Sequence, residues 1–185
     1  MKRPTRCAVI GQAPLRFPWG FDEEDPCCSK MKLALAQQIM GLQQYGVTQF
    51  LVACDCGVGL YAAEIINGLH GLIDDLSLLC FTPYEEQATK WAPYLRERYF
   101  KMLEKCIQIV AVSPRRRPFA QLKAYQKIID LADMVLFVYD LDSLVTASAE
   151  DRALAYAVDT AHKPVFVLHP TRLTTNLIDL HFNAL

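Results

Sequence analysis

Six short, β-rich apolar runs recur along the chain, and a stretch with helical periodicity separates each from the next. They occupy residues 7–10, 49–54, 76–81, 107–112, 134–139 and 165–168. Several are apolar at every position instead of alternating, as strands covered on both faces are. Asp25-Pro26 offers an N-cap and a proline at the first helical position. Met31, Leu35, Ile39 and Leu42 follow at helical spacing, and Gly46 ends that helix. A second helix runs from Leu60 through Leu72. Residues 87–105 read as helical, with Pro93 interrupting them or starting a second segment. Phe119, Leu122, Tyr125, Ile129 and Ala132 form the stripe of another helix. Residues 148–161 form the last, with Ser148 as cap and Leu154, Ala157, Val158 and Ala161 facing inward.

Such alternation predicts an α/β fold, a Rossmann-like three-layer sandwich with a mainly parallel sheet and helices on both faces. A chain of 185 residues fits one domain. Residues 1–185 are read as that domain, with 171–185 as a C-terminal tail whose conformation stays open. A hydrophobic fraction of 52% excludes a disordered chain. With 19 basic and 20 acidic residues, nothing pulls the whole chain toward nucleic acid or an anionic membrane. No apolar run approaches the roughly 18 residues of a membrane span. The basic start has too short an apolar run after it for a signal peptide, so a cytoplasmic protein is expected.

The seven cysteines cannot all pair within one chain. Cys7, Cys80 and Cys106 read as buried small hydrophobes. Cys27-Cys28 and Cys54-x-Cys56 do not match zinc spacing, and His70, His162, His169 and His181 are scattered. No metal site is expected. A Cys56 thiol near a helix N-terminus would have a lowered pKa.

In such sheets ligands bind beyond the carboxyl ends of the strands. The first loop there runs through Gly11, Gln12, Ala13 and Pro14 to Trp19 and Phe21. Trp19 either stacks on a base or closes the core. The second, Cys54-Asp55-Cys56-Gly57-Val58-Gly59, is a glycine-bearing strand-to-helix turn of the kind that admits phosphates. Asp55 counts against a plain anion site there. The third carries Glu85, Glu86 and Gln87, with Trp91 one turn on. In the fourth, Asp140 and Asp142 suit a metal, ribose hydroxyls or a turn cap. Arg115-Arg116-Arg117 is the one dense basic run; its three charges suit contact with phosphates, and a solvated loop is the reading preferred. No Ser-His-Asp order or nucleophile elbow is present.

The chain resembles the YpsA-like family of the SLOG superfamily. The resemblance rests on Phe17-Pro18-Trp19-Gly20-Phe21-Asp22-Glu23-Glu24-Asp25, on Gly57-Val58 with Ala62-Ala63-Glu64, and on Pro83-Tyr84-Glu85-Glu86-Gln87 with Trp91. Arg98-Tyr99, Asp133 and Tyr139-Asp140 complete it, so that it spans about residues 9–170. It implies non-enzymatic binding or sensing of a nucleotide or ADP-ribose-like ligand, in a family with links to stress and cell-division control. The pocket it implies involves Gly11, Trp19, Gly57, Glu64, Gln87, Trp91, Asp140 and Thr146; the loops add Gln12, Gly59 and Glu86.

The chain departs from the family at several of these places. Gly-His-Arg-Pro is Gly11-Gln12-Ala13-Pro14 here, and Ser-Gly is Val52-Ala53. The aspartate after Gly-Val is Gly59, Arg-Asn is Ala124-Tyr125, and Gly-Gly-Thr is Leu144-Val145-Thr146. Each lost charged hydrogen bond costs roughly 1.5–3 kcal/mol of binding. These losses motivate an alternative, a degenerate scaffold acting through protein contacts. A nucleotide N-glycosidic hydrolase, as in the related LOG proteins, would need Glu64 or Glu86 as acid or base, and their Pro-Gly-Gly-x-Gly-Thr loop is absent. Single-stranded DNA binding, as in DprA relatives, is disfavoured by the near-neutral charge. A homodimer is the base-rate expectation for an oligomer.

Overall fold

The computed structural model describes residues 5–73, 75–143 and 148–178. Its strands are β1 (Arg6–Gly11), β2 (Gln49–Val52), β3 (Ser77–Thr82), β4 (Gln108–Ala111), β5 (Met134–Val138), β6 (Val165–Leu168) and β7 (Thr175–Ile178). The helices are α1 (Pro26–Gln44), α2 (Val58–Leu69), α3 (Pro93–Leu103), α4 (Ala120–Leu131) and α5 (Ala149–Ala155), the last continuing as a π turn over Tyr156–Thr160. The seven-stranded sheet has the order β4-β3-β2-β1-β5-β6-β7. The first six strands are parallel, and β7 pairs antiparallel with β6 along the edge.

The expected α/β sandwich is therefore present. β1 lies between β2 and β5, and Cys7 through Ile10 are fully buried. Alternate side chains serve two cores. Cys7 and Val9 join Phe50, Val52, Leu78 and Cys80 beneath α1, α2 and α3. Ala8 and Ile10 join Leu51, Leu79, Val135 and Phe137 beneath α4 and α5. Both faces are covered, which is why these strands read as continuous apolar runs.

The ends of α1 follow from local chemistry. The Asp25 carboxylate accepts the Cys27 N–H at 2.7 Å, and Pro26 opens the helix. At the other end Gly46 takes a φ of 108°. The Val47 N–H then reaches the Leu42 carbonyl and the Gly46 N–H the Gln43 carbonyl, so the last carbonyls are satisfied. Ser148 caps α5 in a reciprocal box with Asp151.

Three expectations need correction. The second helix ends at Leu69, and Leu72 is 83% exposed beyond it. β2 stops at Val52, because Cys54 turns into the left-handed region with φ 57°. Phe119 leaves its helical stripe for the same reason: its φ is 62°, and its ring is 64% exposed.

Candidate functional site

The chain runs outward from β1 to β2, β3 and β4, then returns to β5 on the other side of β1. The carboxyl ends of β1 and β5 thus flank the switch point where such sheets bind ligands. Gln12 bridges it: its Oε1 accepts the Asp140 N–H at 2.9 Å, and its Nε2 donates to the Arg16 carbonyl at 3.1 Å. Arg16 is spent internally as well. It donates to the Tyr139 hydroxyl, the Asp151 carboxylate and the Ser143 carbonyl.

Asp55 dominates the turn between β2 and α2. Its main-chain carbonyl accepts the Gly57 N–H at 3.0 Å and the Leu60 N–H at 3.1 Å. Its side-chain Oδ1 accepts the Gly59 N–H at 3.0 Å. A Cβ on Gly59 would lie 2.8 Å from that oxygen, so the missing side chain at 59 makes room for the carboxylate. Tyr125 donates its hydroxyl to Asp55 Oδ2 at 3.1 Å and lies 3.4 Å from Glu150 Oε1. Burial pushes the Asp55 carboxyl up to about 6, against the lowering effect of the Gly59 and Tyr125 bonds; the nearby Glu150 charge adds to the rise. A cavity of about 160 Å³ opens here, bordered by Gln12, Asp55, Gln121, Tyr125 and Glu150. It is a carboxylate-lined space suited to hydroxyl donors.

A second cavity, of about 650 Å³, lies over the start of α4 and the first turns of α5. Arg116, Arg117 and Arg152 line it, with Tyr84, Phe119 and Gln121. Gln121 borders both cavities, and its Nε2 is buried with no hydrogen-bond partner among the described residues. Among those residues none of the three arginines forms an ion pair. The Arg152 guanidinium instead stands over the Phe119 ring, 5.6 Å from its centroid.

The residues expected from the sequence divide between these features and the scaffold. Gly11 and Gln12 line the small cavity. Gly57 and Gly59 form the turn that Asp55 caps. Trp19 is 6% exposed and stacks on Phe17 with 4.8 Å between ring centroids, so it closes the core and has no open face for a base. Gln87 is buried and donates to the Cys54 carbonyl at 3.0 Å, holding that left-handed turn. Trp91 meets Tyr99 edge to face. Glu86 is exposed at the start of a short 3-10 turn. Thr146 lies outside the described residues.

Glu64 is bound to Arg98 through both oxygens at 2.7 Å, and Arg98 also holds Glu23, which pairs with Lys32. This network ties the first loop to α1, α2 and α3, with both Glu64 oxygens engaged by Arg98. Glu64→Gln should cost about 0.5–1 kcal/mol, because the network is partly open to water and Glu23 remains. Urea unfolding measures it; an unchanged midpoint would mean that Arg98 depends on Glu23 alone.

Asp140, Asp142 and His169 place one ligand atom each within 4.8 Å of one another. The N–H groups of Thr171 and Arg172 donate to His169 Nδ1, so the ring proton sits on Nε2 and faces Asp140 Oδ1 at 3.3 Å. Arg172 takes Asp142. These groups are already matched to one another. The Cys56 thiol is pushed up by burial and by the Asp55 charge, opposite to the expected lowering. The Cys54 and Cys80 side chains meet across β2 and β3, with Cα atoms 6.2 Å apart, a separation a disulfide spans.

Sequence reasoning passed over Arg152, Gln121 and Glu150, placed Phe119 on a helical stripe, and weighed Arg116 and Arg117 as phosphate contacts before preferring a solvated loop. The run Arg115-Arg116-Arg117 was the one signal for the larger cavity, and a basic turn is usually solvated.

No helix among the described residues is long and apolar enough to cross a membrane. The family model for YpsA, described as the YspA SLOG family, matches residues 7–173. A UPF0398 protein of Halalkalibacterium halodurans is 32% identical over 116 residues, 60% of this chain and 60% of that protein. One from Bacillus cereus is 29% identical over 136 residues, covering 72% of this chain and 73% of its own. Another from that species is 28% identical over 159 residues, covering 84% and 82%. A match running from β1 to the turn before β7 takes in nearly the whole domain just described, and the chain belongs to the YpsA family of SLOG proteins.

Proposed function

We propose that the chain binds, without turning it over, a nucleotide or nucleotide-derived ligand of the ADP-ribose-like class at the carboxyl edge of its sheet. One observation carries the reading: an exposed Phe119 ring, held out by a left-handed backbone, borders a cavity lined by three arginines without ion-pair partners among the described residues. A bulky residue with positive φ costs about 1–3 kcal/mol, and such strain clusters at ligand sites. An aromatic face beside guanidinium groups suits a base with attached phosphates. The neighbouring carboxylates of Asp55 and Glu150 suit sugar hydroxyls.

Thermal unfolding against ADP-ribose, NAD, AMP and cyclic nucleotides tests the reading. A ligand at 100 times its Kd adds about 2.7 kcal/mol, or about 5–11 °C at this chain length. A flat panel with a sharp transition would remove the reading. Phe119→Gly separates strain from function: the unliganded protein gains about 1 kcal/mol from relief of the backbone, while the ligand-induced shift falls. A Phe119→Gly protein that keeps the full shift would place the base elsewhere.

A further inference from the structure

We infer that the ligand's phosphates are held by Arg116, Arg117 and Arg152 on the α4–α5 side, and that the N-terminus of α2 is closed to anions by Asp55. The inference rests on the binding role proposed above and adds an orientation to it.

A strand-to-helix turn with glycines normally offers free N–H groups and the positive end of the helix to a phosphate. In this chain Asp55 has taken three of those donors. Its carbonyl accepts from Gly57 and Leu60, and its carboxylate accepts from Gly59. A phosphate arriving there would have to displace the carboxylate or sit against its charge. Glu150, buried and close to the same Tyr125 hydroxyl, adds a second acid. The small cavity between them is therefore hostile to anions.

The adjoining cavity has the opposite character. Three guanidinium groups line it, and among the described residues no carboxylate borders it and none of the three is neutralised by an acid. Its volume of about 650 Å³ is in the range of small-molecule sites. Gln121, at the junction, presents a buried amide N–H group without a partner, a donor placed where an oxygen of the ligand would pass from one cavity to the other. Planar guanidinium groups bind phosphate oxygens in pairs, so two or three of them match a di- or triphosphate better than a single phosphate. The ligand class is then a nucleoside di- or triphosphate or a diphosphate-linked derivative. Its anionic segment lies by the arginines and its hydroxyl-bearing segment reaches the carboxylates.

The test uses inorganic tripolyphosphate, which has no base or sugar, in isothermal titration with the full chain. The expected result is binding to the unaltered protein, weakened at least tenfold by Arg117→Ala and by Arg152→Ala. Arg172→Ala, which removes the same charge from a surface pair with Asp142, serves as control and leaves the affinity within twofold. All three arginines are exposed, and circular dichroism establishes that the variants fold. Three results would overturn the inference: no binding of tripolyphosphate, binding equally weakened by Arg172→Ala, or binding indifferent to Arg117→Ala and Arg152→Ala, in which case a tenfold rise in Asp55→Asn would place the anion at α2 instead. The nucleotide panel run in parallel keeps the two proposals apart. Nucleotide binding that survives Arg117→Ala and Arg152→Ala refutes the orientation alone, while a flat panel refutes the binding role.

Discussion

The Gly11→Ala protein is expected to unfold about 6–12 °C below the unaltered one, a loss of about 3 kcal/mol. The cause is space and not backbone conformation. Gly11 is the last residue of β1, in register with Val138 of β5, so alanine fits its backbone. A Cβ there would lie 2.2 Å from Val58 Cγ2 and 2.5 Å from Val58 Cβ. Rotating the valine relieves the first contact but not the second, because a Cβ moves only with its helix. The carboxyl end of the central strand must therefore part from the first turn of α2, which bears on the fully buried Val58. A double-mutant cycle isolates the effect. Val58→Gly costs stability in the unaltered protein but little or nothing in Gly11→Ala, giving a coupling of about 2 kcal/mol. If Gly11→Ala unfolds within a degree of the unaltered protein, β1 and α2 do not meet as described.

The contact at Gly11 also separates what could be read early from what could not. Gly11, Gly57 and Gly59 stood out in the sequence as glycines at strand ends, and each has a close neighbour: Val58, Pro14 and Asp55 respectively. The sequence could mark the positions but not the neighbours, because a glycine that admits a phosphate and one that admits a valine look alike. The boundaries of α1 were legible because Asp25, Pro26 and Gly46 act on their own helix ends. Five of the six parallel strands were legible because burial writes itself as apolar runs; β4, at the edge and mostly exposed, was legible from its β-branched residues alone. β7 was not, since Asn176 and Leu177 on this edge strand are open to water and carry no such pattern.

The arginine cavity was illegible for a different reason. Arg116 and Arg117 precede α4 and Arg152 lies on α5, and only the packing of those two helices on one face of the sheet brings them together. Phe119 fitted the spacing of the α4 stripe, and nothing in its identity announces a left-handed backbone. Trp19 was the more conspicuous aromatic, yet its size suits the core it closes. The conspicuous tryptophan therefore marked the scaffold here, while Arg152 and the exposed ring came from ordinary stretches of the chain.

Asp55→Asn is expected to stabilise the protein by about 2 kcal/mol at pH 8 and by about a third of that at pH 4.5. Asp55 ionises near 3.8 in an unfolded chain and near 6 in the folded one. Between those values the folded state holds a proton that the unfolded state has released. Stability therefore falls as the pH rises from about 4 to about 6, and the penalty stays in full above that window. A shift of about 2 units corresponds to at most about 3 kcal/mol, with the charge's favourable position at the start of α2 already contained in it, and asparagine recovers part of this because its amide is not a protonated carboxyl. Asparagine keeps the useful contacts. Its Oδ1 still accepts the Gly59 N–H, and its Nδ2 donates to the Tyr125 oxygen, which frees the Tyr125 hydroxyl to donate to Glu150. Unfolding midpoints at the two pH values measure the difference, about 4–8 °C at pH 8 for a chain of this length. A loss of stability at pH 8 would mean that the ionised carboxylate is what holds the turn, and the cost of its burial would then be smaller than the dipole and hydrogen bonds that receive it. A gain that grows with pH would mean that the chain keeps a destabilising charge at its switch point, where the exclusion of an anion supplies the reason to keep it.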